Sequence, residues 1–170
     1  MTPPKSEATP LTETTPKSDW CSEELFLQAY RQIQKHEGAV YSIYRDHLGN
    51  RTFGIGHLVT PEDPEWLLPD RSPVTAERVE NVYADDLSTA FTAVKNLVPD
   101  ICDHPEAVQL VLTNMAFNLG QTRLAGFKRM LAAVNERNYK QASVEMIDSR
   151  WAKQVPKRAT ELSIKMEGVS

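Results

Sequence analysis

The sequence predicts an α+β chain, mainly helical, with one small antiparallel sheet near its N-terminus. Two observations carry this. Apolar residues recur at helical spacing from residue 22 to 37, again from 75 to 98, and through most of the remainder. Between the first two runs, residues 40–55 switch to the alternation of strands around a Gly-bearing turn.

The first helical run opens at Ser22, a suitable N-cap, with Glu23 and Glu24 at the positive helix start and Leu25, Phe26, Ala29, Tyr30 and Ile33 on one face. Gly38 ends it, so Glu37 falls in the last turn, where the helix-end carbonyls disfavour a negative charge. Val40, Tyr41, Ile43 and Tyr44 are strand formers. Asp46 to Asn50 reads as a turn around Gly49, and Thr52, Phe53 and Ile55 resume the alternation. Gly54 and Gly56 remove side chains where something approaches the backbone. Residues 58–74 hold four Pro and read as an irregular connection, in which Trp66 is expected to cover the core rather than lip a cleft. Thr75 caps a long amphipathic helix that Pro99 stops. The run from Glu106 to Leu119 is apolar enough for a nearly buried central helix ending at Gly120. Short helices follow, to Asn135 and from Tyr139 to Ser149, the latter with Ala142, Val144, Met146 and Ile147 expected inward. Pro156 separates the last two, and Glu161 to Glu167 closes the chain.

The chemistry concentrates in EGAVYSIYRDHLGNRTFGIGH, residues 37–57. Glu37 and Asp46 stand on converging elements, and such a pair suits glycoside hydrolysis. One carboxylic acid gives its proton to the leaving oxygen, while the second, ionised, attacks the sugar or activates water. Glu37 at the helix end is the candidate acid, and Asp46 in an open polar turn the candidate base.

The stretch resembles the phage-type lysozymes of glycoside hydrolase family 24, muramidases that cut bacterial peptidoglycan. The motif is met by Glu37, Gly38, Tyr44, Asp46, Gly49, Thr52, Gly54, Gly56 and His57, and the likeness extends over about residues 22–168. It implies a two-lobed lysozyme-like fold, with an N-terminal lobe of about 38–74, a connecting helix of about 75–98, and a C-terminal lobe of about 99–168 that includes the first helix. It also implies that Glu37, Asp46 and Thr52 are catalytic. An inverting mechanism follows, in which Asp46 and the Thr52 hydroxyl hold the attacking water and the carboxyl groups stand roughly 6.5 to 9.5 Å apart.

Further roles come from the same resemblance. Asp86 matches an acid that pairs with the hairpin His, making His57 and Asp86 an ion pair that supports the site. Asn114 and Asn118 read first as buried amides satisfied in the core. The pattern of Asn114, Met115, Phe117 and Gly120 adds Asn118 as a substrate-binding candidate. Trp151 is given a packing role behind the site. Arg158 faces Glu37 and is read as positioning it and tying the lobes rather than as driving proton donation.

Composition narrows the partners. The 170 residues carry a formal charge of −4 and hold no run of 18 apolar residues, so no membrane insertion is expected; the chain is also expected to be a monomer. Residues 21–100 carry 7 basic and 13 acidic side chains, whereas residues 101–170 carry 10 and 7, so an anionic polymer would be gripped by the second half. No Gly-rich phosphate loop and no cluster with metal spacing occurs, and neither a cofactor nor nucleic acid is expected. Residues 1–20, with four Pro and five Thr, are expected to be a disordered tail, and they contain no apolar signal core. On that reading the chain is made in a bacterial host's cytoplasm and reaches the periplasm or wall through a holin, a virion or a dedicated secretion system. Cys21 and Cys102 are then expected to be reduced, with a bridge between them the alternative. An endolysin is the expected function; a carrier-attached or secreted antibacterial effector, or a non-catalytic peptidoglycan-binding module, are the alternatives.

Overall fold

The computed structural model describes residues 20–169. Among these are eight α-helices and one three-stranded sheet, an α+β and mainly helical architecture as the periodicity predicts.

Helix α1 (Glu23–Glu37) starts where Ser22 Oγ accepts a hydrogen bond from the Leu25 amide and stops at Gly38, which adopts φ +73°. The sheet follows in the order β1 (Val40–Arg45), β2 (Arg51–Gly54), β3 (His57–Leu58), antiparallel throughout, with Tyr44 opposite Thr52 and Phe53 opposite His57. The two-residue β3 extends the expected hairpin to three strands. Helix α2 (Ala76–Leu97) is capped by Thr75, whose hydroxyl accepts from the Arg78 amide. Its buried face, including Val79, Tyr83, Leu87 and Phe91, packs against α3 (Glu106–Leu119) and against β2. Helix α3 is the centre of the core: from Val108 to Ala116 every residue is buried. The remaining helices are α4 (Gln121–Ala125), α5 (Lys128–Asn135), α6 (Tyr139–Ile147), α7 (Arg150–Gln154) and α8 (Pro156–Glu167), with α8 packed on both α6 and α3.

Four expectations need correction. Cys21 and Cys102 are joined in a disulfide, their Cα atoms 5.4 Å apart. The expectation of free thiols rested on compartment, whereas the fold brings the start of α1 against the short 3₁₀ turn at Ile101–Asp103. Trp20, assigned to the tail, is buried and stacks on Phe91 at 4.5 Å, so it belongs to the core; residues 1–19 lie outside the described residues. Helix α6 buries Tyr139, Ala142, Ser143 and Met146, a stripe at spacings of three and four, and leaves Val144 and Ile147 exposed. Those two are apolar but out of phase with the stripe. Trp66 is also exposed and covers no core. No helix of the described residues is long and apolar enough to cross a membrane.

Candidate active site

Glu37 is the last residue of α1, and its carboxylate meets the C-terminal helices directly. Arg158 Nη1 donates to Glu37 Oε2 at 2.7 Å, and both side chains are largely enclosed, 9% and 18% exposed. An ion pair so shielded is fixed in geometry more firmly than a surface pair would be. Arg158 is itself held by Asn114, whose Oδ1 accepts from Nε at 2.8 Å. Asn114 is fully buried and satisfied, as a core amide must be. Its remaining bond runs from Nδ2 to His36 Nδ1 at 3.1 Å.

The hairpin side is equally specific. Gly56, with φ +73°, turns its α-carbon toward Glu37, and a Cβ there would lie 2.9 Å from Glu37 Oε1. The approach inferred from the missing side chain is therefore that of the carboxylate. Asp46 folds its own turn: Oδ1 accepts from the Asn50 amide at 2.8 Å and from the Leu48 amide at 2.9 Å. Those bonds, that from Asn50 foremost, hold its carboxyl below the ordinary carboxylate range, so the half-buried Asp46 is an ionised acceptor. Thr52 lies beyond the turn, nearly buried, and its hydroxyl donates to the Asn50 carbonyl at 3.0 Å, leaving its lone pairs as acceptors. Tyr44, opposite Thr52 in the ladder, has its phenol pKa raised by burial and then by the negative fields of both Glu37 and Asp46. One side chain thus senses both carboxylates.

His57 joins the hairpin to α2. Its Nδ1 lies 2.8 Å from Asp86 Oδ2, the pair anticipated from the sequence, and its Nε2 lies 2.8 Å from Asp63 Oδ2, which was not. Burial alone would depress the imidazole pKa; the Asp86 and Asp63 carboxylates outweigh it and raise the value above 6.5. Asp63 also accepts from Arg78 and from the Thr60 amide, which ties the Pro-rich connection to α2. Asp63 sits among several acids of an irregular loop, and nothing in its spacing marks it. His36 was likewise missed, being one polar residue among the Gln, Lys and Arg of α1.

Trp151 is buried, and its indole N–H donates to Asn118 Oδ1 at 2.7 Å, while Phe127 meets it edge-on. Asn118 is thus engaged by Trp151 and only partly enclosed. Between the sheet and the central helices runs a groove of about 330 Å³, lined by Gly56, His57 and Leu58 on one side, Ala116 and Phe117 on the other, and Asp86 and Ala90 below. Gly56 belongs both to this groove and to the wall behind Glu37. A larger hollow of about 690 Å³, around Trp151, Phe127 and Arg150, contains neither Glu37 nor Asp46. No group of His, Cys, Asp and Glu among the described residues has the arrangement of a metal site.

Comparison with known proteins bears on the family. The model of the family described as phage lysozyme matches residues 34–165. The chain is 26% identical over 146 residues to "Probable T4-type lysozyme 2" of Dictyostelium discoideum, covering 75% of this chain and 86% of that protein. It is 27% identical over 143 residues to "Peptidoglycan hydrolase gp36" of Pseudomonas phage phiKMV, covering 83% of this chain but 14% of that much longer protein. It is also 26% identical over 151 residues to "Pre-baseplate central spike protein Gp5" of Enterobacteria phage T4, covering 78% of this chain and 26% of that protein. A family match over most of the described residues, one that takes in Glu37, Asp46 and Thr52 near its start, places this chain in the phage lysozyme family.

Proposed function

We propose that this chain is a peptidoglycan muramidase that hydrolyses the β-1,4 bond between N-acetylmuramic acid and N-acetylglucosamine with inversion. The observation that carries the reading is the placement of an Arg158-held Glu37 beside the glycine hairpin whose turn presents ionised Asp46, with Tyr44 in the field of both carboxylates. Glu37 gives its proton to the leaving glycosidic oxygen. Asp46 takes a proton from the attacking water, which the Thr52 oxygen helps to orient. His57 and Asp86 hold the hairpin in register, Trp151 backs the site, and Asn118 and Arg158 border the glycan. The substrate is bacterial peptidoglycan, and the site of action is the periplasm or the cell wall; the working unit is a monomer.

A second reading is favoured by two of the relatives, phage proteins named as a peptidoglycan hydrolase and as a spike protein, of which the matched stretch is a small part. On that reading the same chemistry serves a virion component attached through a carrier. A non-catalytic binding module is disfavoured, since Glu37, Asp46 and Thr52 are all present.

The test is digestion of purified peptidoglycan followed by mass spectrometry. A new N-acetylmuramic acid reducing end, absent with Glu37→Gln, is the expected result. An N-acetylglucosamine end, an anhydro product, or undiminished cleavage by Glu37→Gln would overturn it. Proton NMR of fresh product should show inverted anomeric configuration; retention would make Asp46 a nucleophile.

A further inference from the structure

The polar chain that ends on Glu37 begins at a histidine to which the reading above gives no part. Donor and acceptor accounting along it leaves one solution. Arg158 Nε can only donate, so the Asn114 atom 2.8 Å away must be its oxygen, Oδ1. The Asn114 amide nitrogen, Nδ2, therefore faces His36, 3.1 Å from Nδ1. An amide NH₂ only donates, so His36 Nδ1 must accept and carry no proton. The ring is then the neutral tautomer with its hydrogen on Nε2.

A proton on Nδ1 would set two donors against each other. Turning the Asn114 amide over does not help, because it sets Nδ2 against Arg158 Nε instead. One bond of the chain must break, and Arg158 then loses either its Asn114 support or the support beneath Asn114.

Other groups weigh on the same ring. From α8, Glu161 Oε1 lies 3.3 Å from His36 Nε2, within ion-pair distance but not aligned for a hydrogen bond. Lys165 approaches the other Glu161 oxygen at 4.0 Å, and Lys35 adds positive field from α1 itself. Helix α3 contributes the neutral Asn114, and α1 also contributes Glu37 next in the chain. Glu161 thus rewards the imidazolium while Asn114 rejects it, which gives the ring two arrangements with different consequences for Arg158.

We propose that His36 is a positioning residue for the Glu37–Arg158 pair, acting through Asn114 as the neutral Nε2–H tautomer, and that its protonation loosens Arg158 and lowers cleavage. The inference rests on Glu37 being the proton donor.

Two measurements test it. Long-range ¹H–¹⁵N spectra of the full chain at about pH 8 should show His36 as the Nε2–H tautomer. An Nδ1–H tautomer, or an imidazolium, at about pH 8 overturns the proposal whether or not any variant folds. The second is the pH profile of kcat/KM for wild type and His36→Gln, whose amide oxygen can still accept from Asn114 Nδ2 but cannot take up a proton. The ratio of the rate at about pH 5.5 to that at about pH 8 should rise roughly fivefold over wild type. Parallel profiles overturn the proposal, as a merely structural His36 would lower both ends together. Cleavage that survives Glu37→Gln would remove the proton-donor reading and leave the tautomer result standing, so the two failures are distinguishable.

Discussion

Gly56 and Asp46 show how much one position can say. Gly56 is required twice, by φ +73° and by the 2.9 Å that would separate a Cβ from Glu37 Oε1. Gly56→Ala should therefore lose about 1–2 kcal/mol of stability, measured by urea unfolding, and lose wall-clearing activity out of proportion to that. Loss of stability with full activity would mean that Glu37 moves aside freely. Asp46→Asn makes the opposite separation. An amide Oδ1 can still accept from the Leu48 and Asn50 amides, so the melting temperature should hardly change, while activity falls by about 10²–10⁴ as the base is lost. A variant that clears cell walls normally would remove Asp46 from the chemistry. Resemblance to a family motif made Glu37, Asp46 and Thr52 candidates from the sequence, and the missing side chain of Gly56 signalled the close approach that Glu37 makes. His36 and Asn114 were not legible as partners, because what joins them is the docking of α1 on α3 across 78 positions.

At the scale of elements, His57 fastens β3 to α2 through Asp86 and to the Pro-rich connection through Asp63. His57 has its folded pKa raised above 6.5, so the stability it adds is fully present below that value and is lost as the pH rises through the folded one. Asp63 has its pKa lowered below 3.8, despite the opposing effect of burial, through bonds from the Thr60 amide and His57. Its contribution is present above 3.8 and is lost as the pH falls through the depressed value. The fastening is strongest between those limits. Asp86→Asn should move the His57 titration downward in NMR, and its melting-temperature deficit should be largest near pH 5 and shrink toward pH 9. A deficit independent of pH would show that Asp86 acts by shape alone. Caps and stops of the helices were readable locally, since Ser22, Thr75, Gly38 and Gly120 act within one turn. The buried face of α6 was misread because Val144 and Ile147 were judged by hydrophobicity and not by phase, and Met146 with Ala142 defines the inward stripe.

At the scale of the molecule, the disulfide is the feature that local reading missed. Cys21 and Cys102 lie 81 positions apart, and the loop they close contains α1, the sheet and all of α2. Beside it Trp20 is wedged between Phe91, stacked at 4.5 Å, and Phe26, edge-on at 5.1 Å. Bridge and aromatic cluster together pin the start of α1 to the far end of α2. Closing so long a loop restricts the unfolded chain far more than the folded one, an effect of about 2–5 kcal/mol. None of Glu37, Asp46, Thr52, Arg158 or His57 takes part in the bridge. Replacing both cysteines, as Cys21→Ser with Cys102→Ser, should then lower the unfolding free energy by about 2–4 kcal/mol while cleavage of peptidoglycan at 25 °C stays near wild type. Dithiothreitol should do the same to the wild-type protein and nothing further to the double variant. If the reductant and the double substitution both leave the urea midpoint unmoved, the two thiols are not joined in solution, and the aromatic cluster alone fixes the entrance to α1.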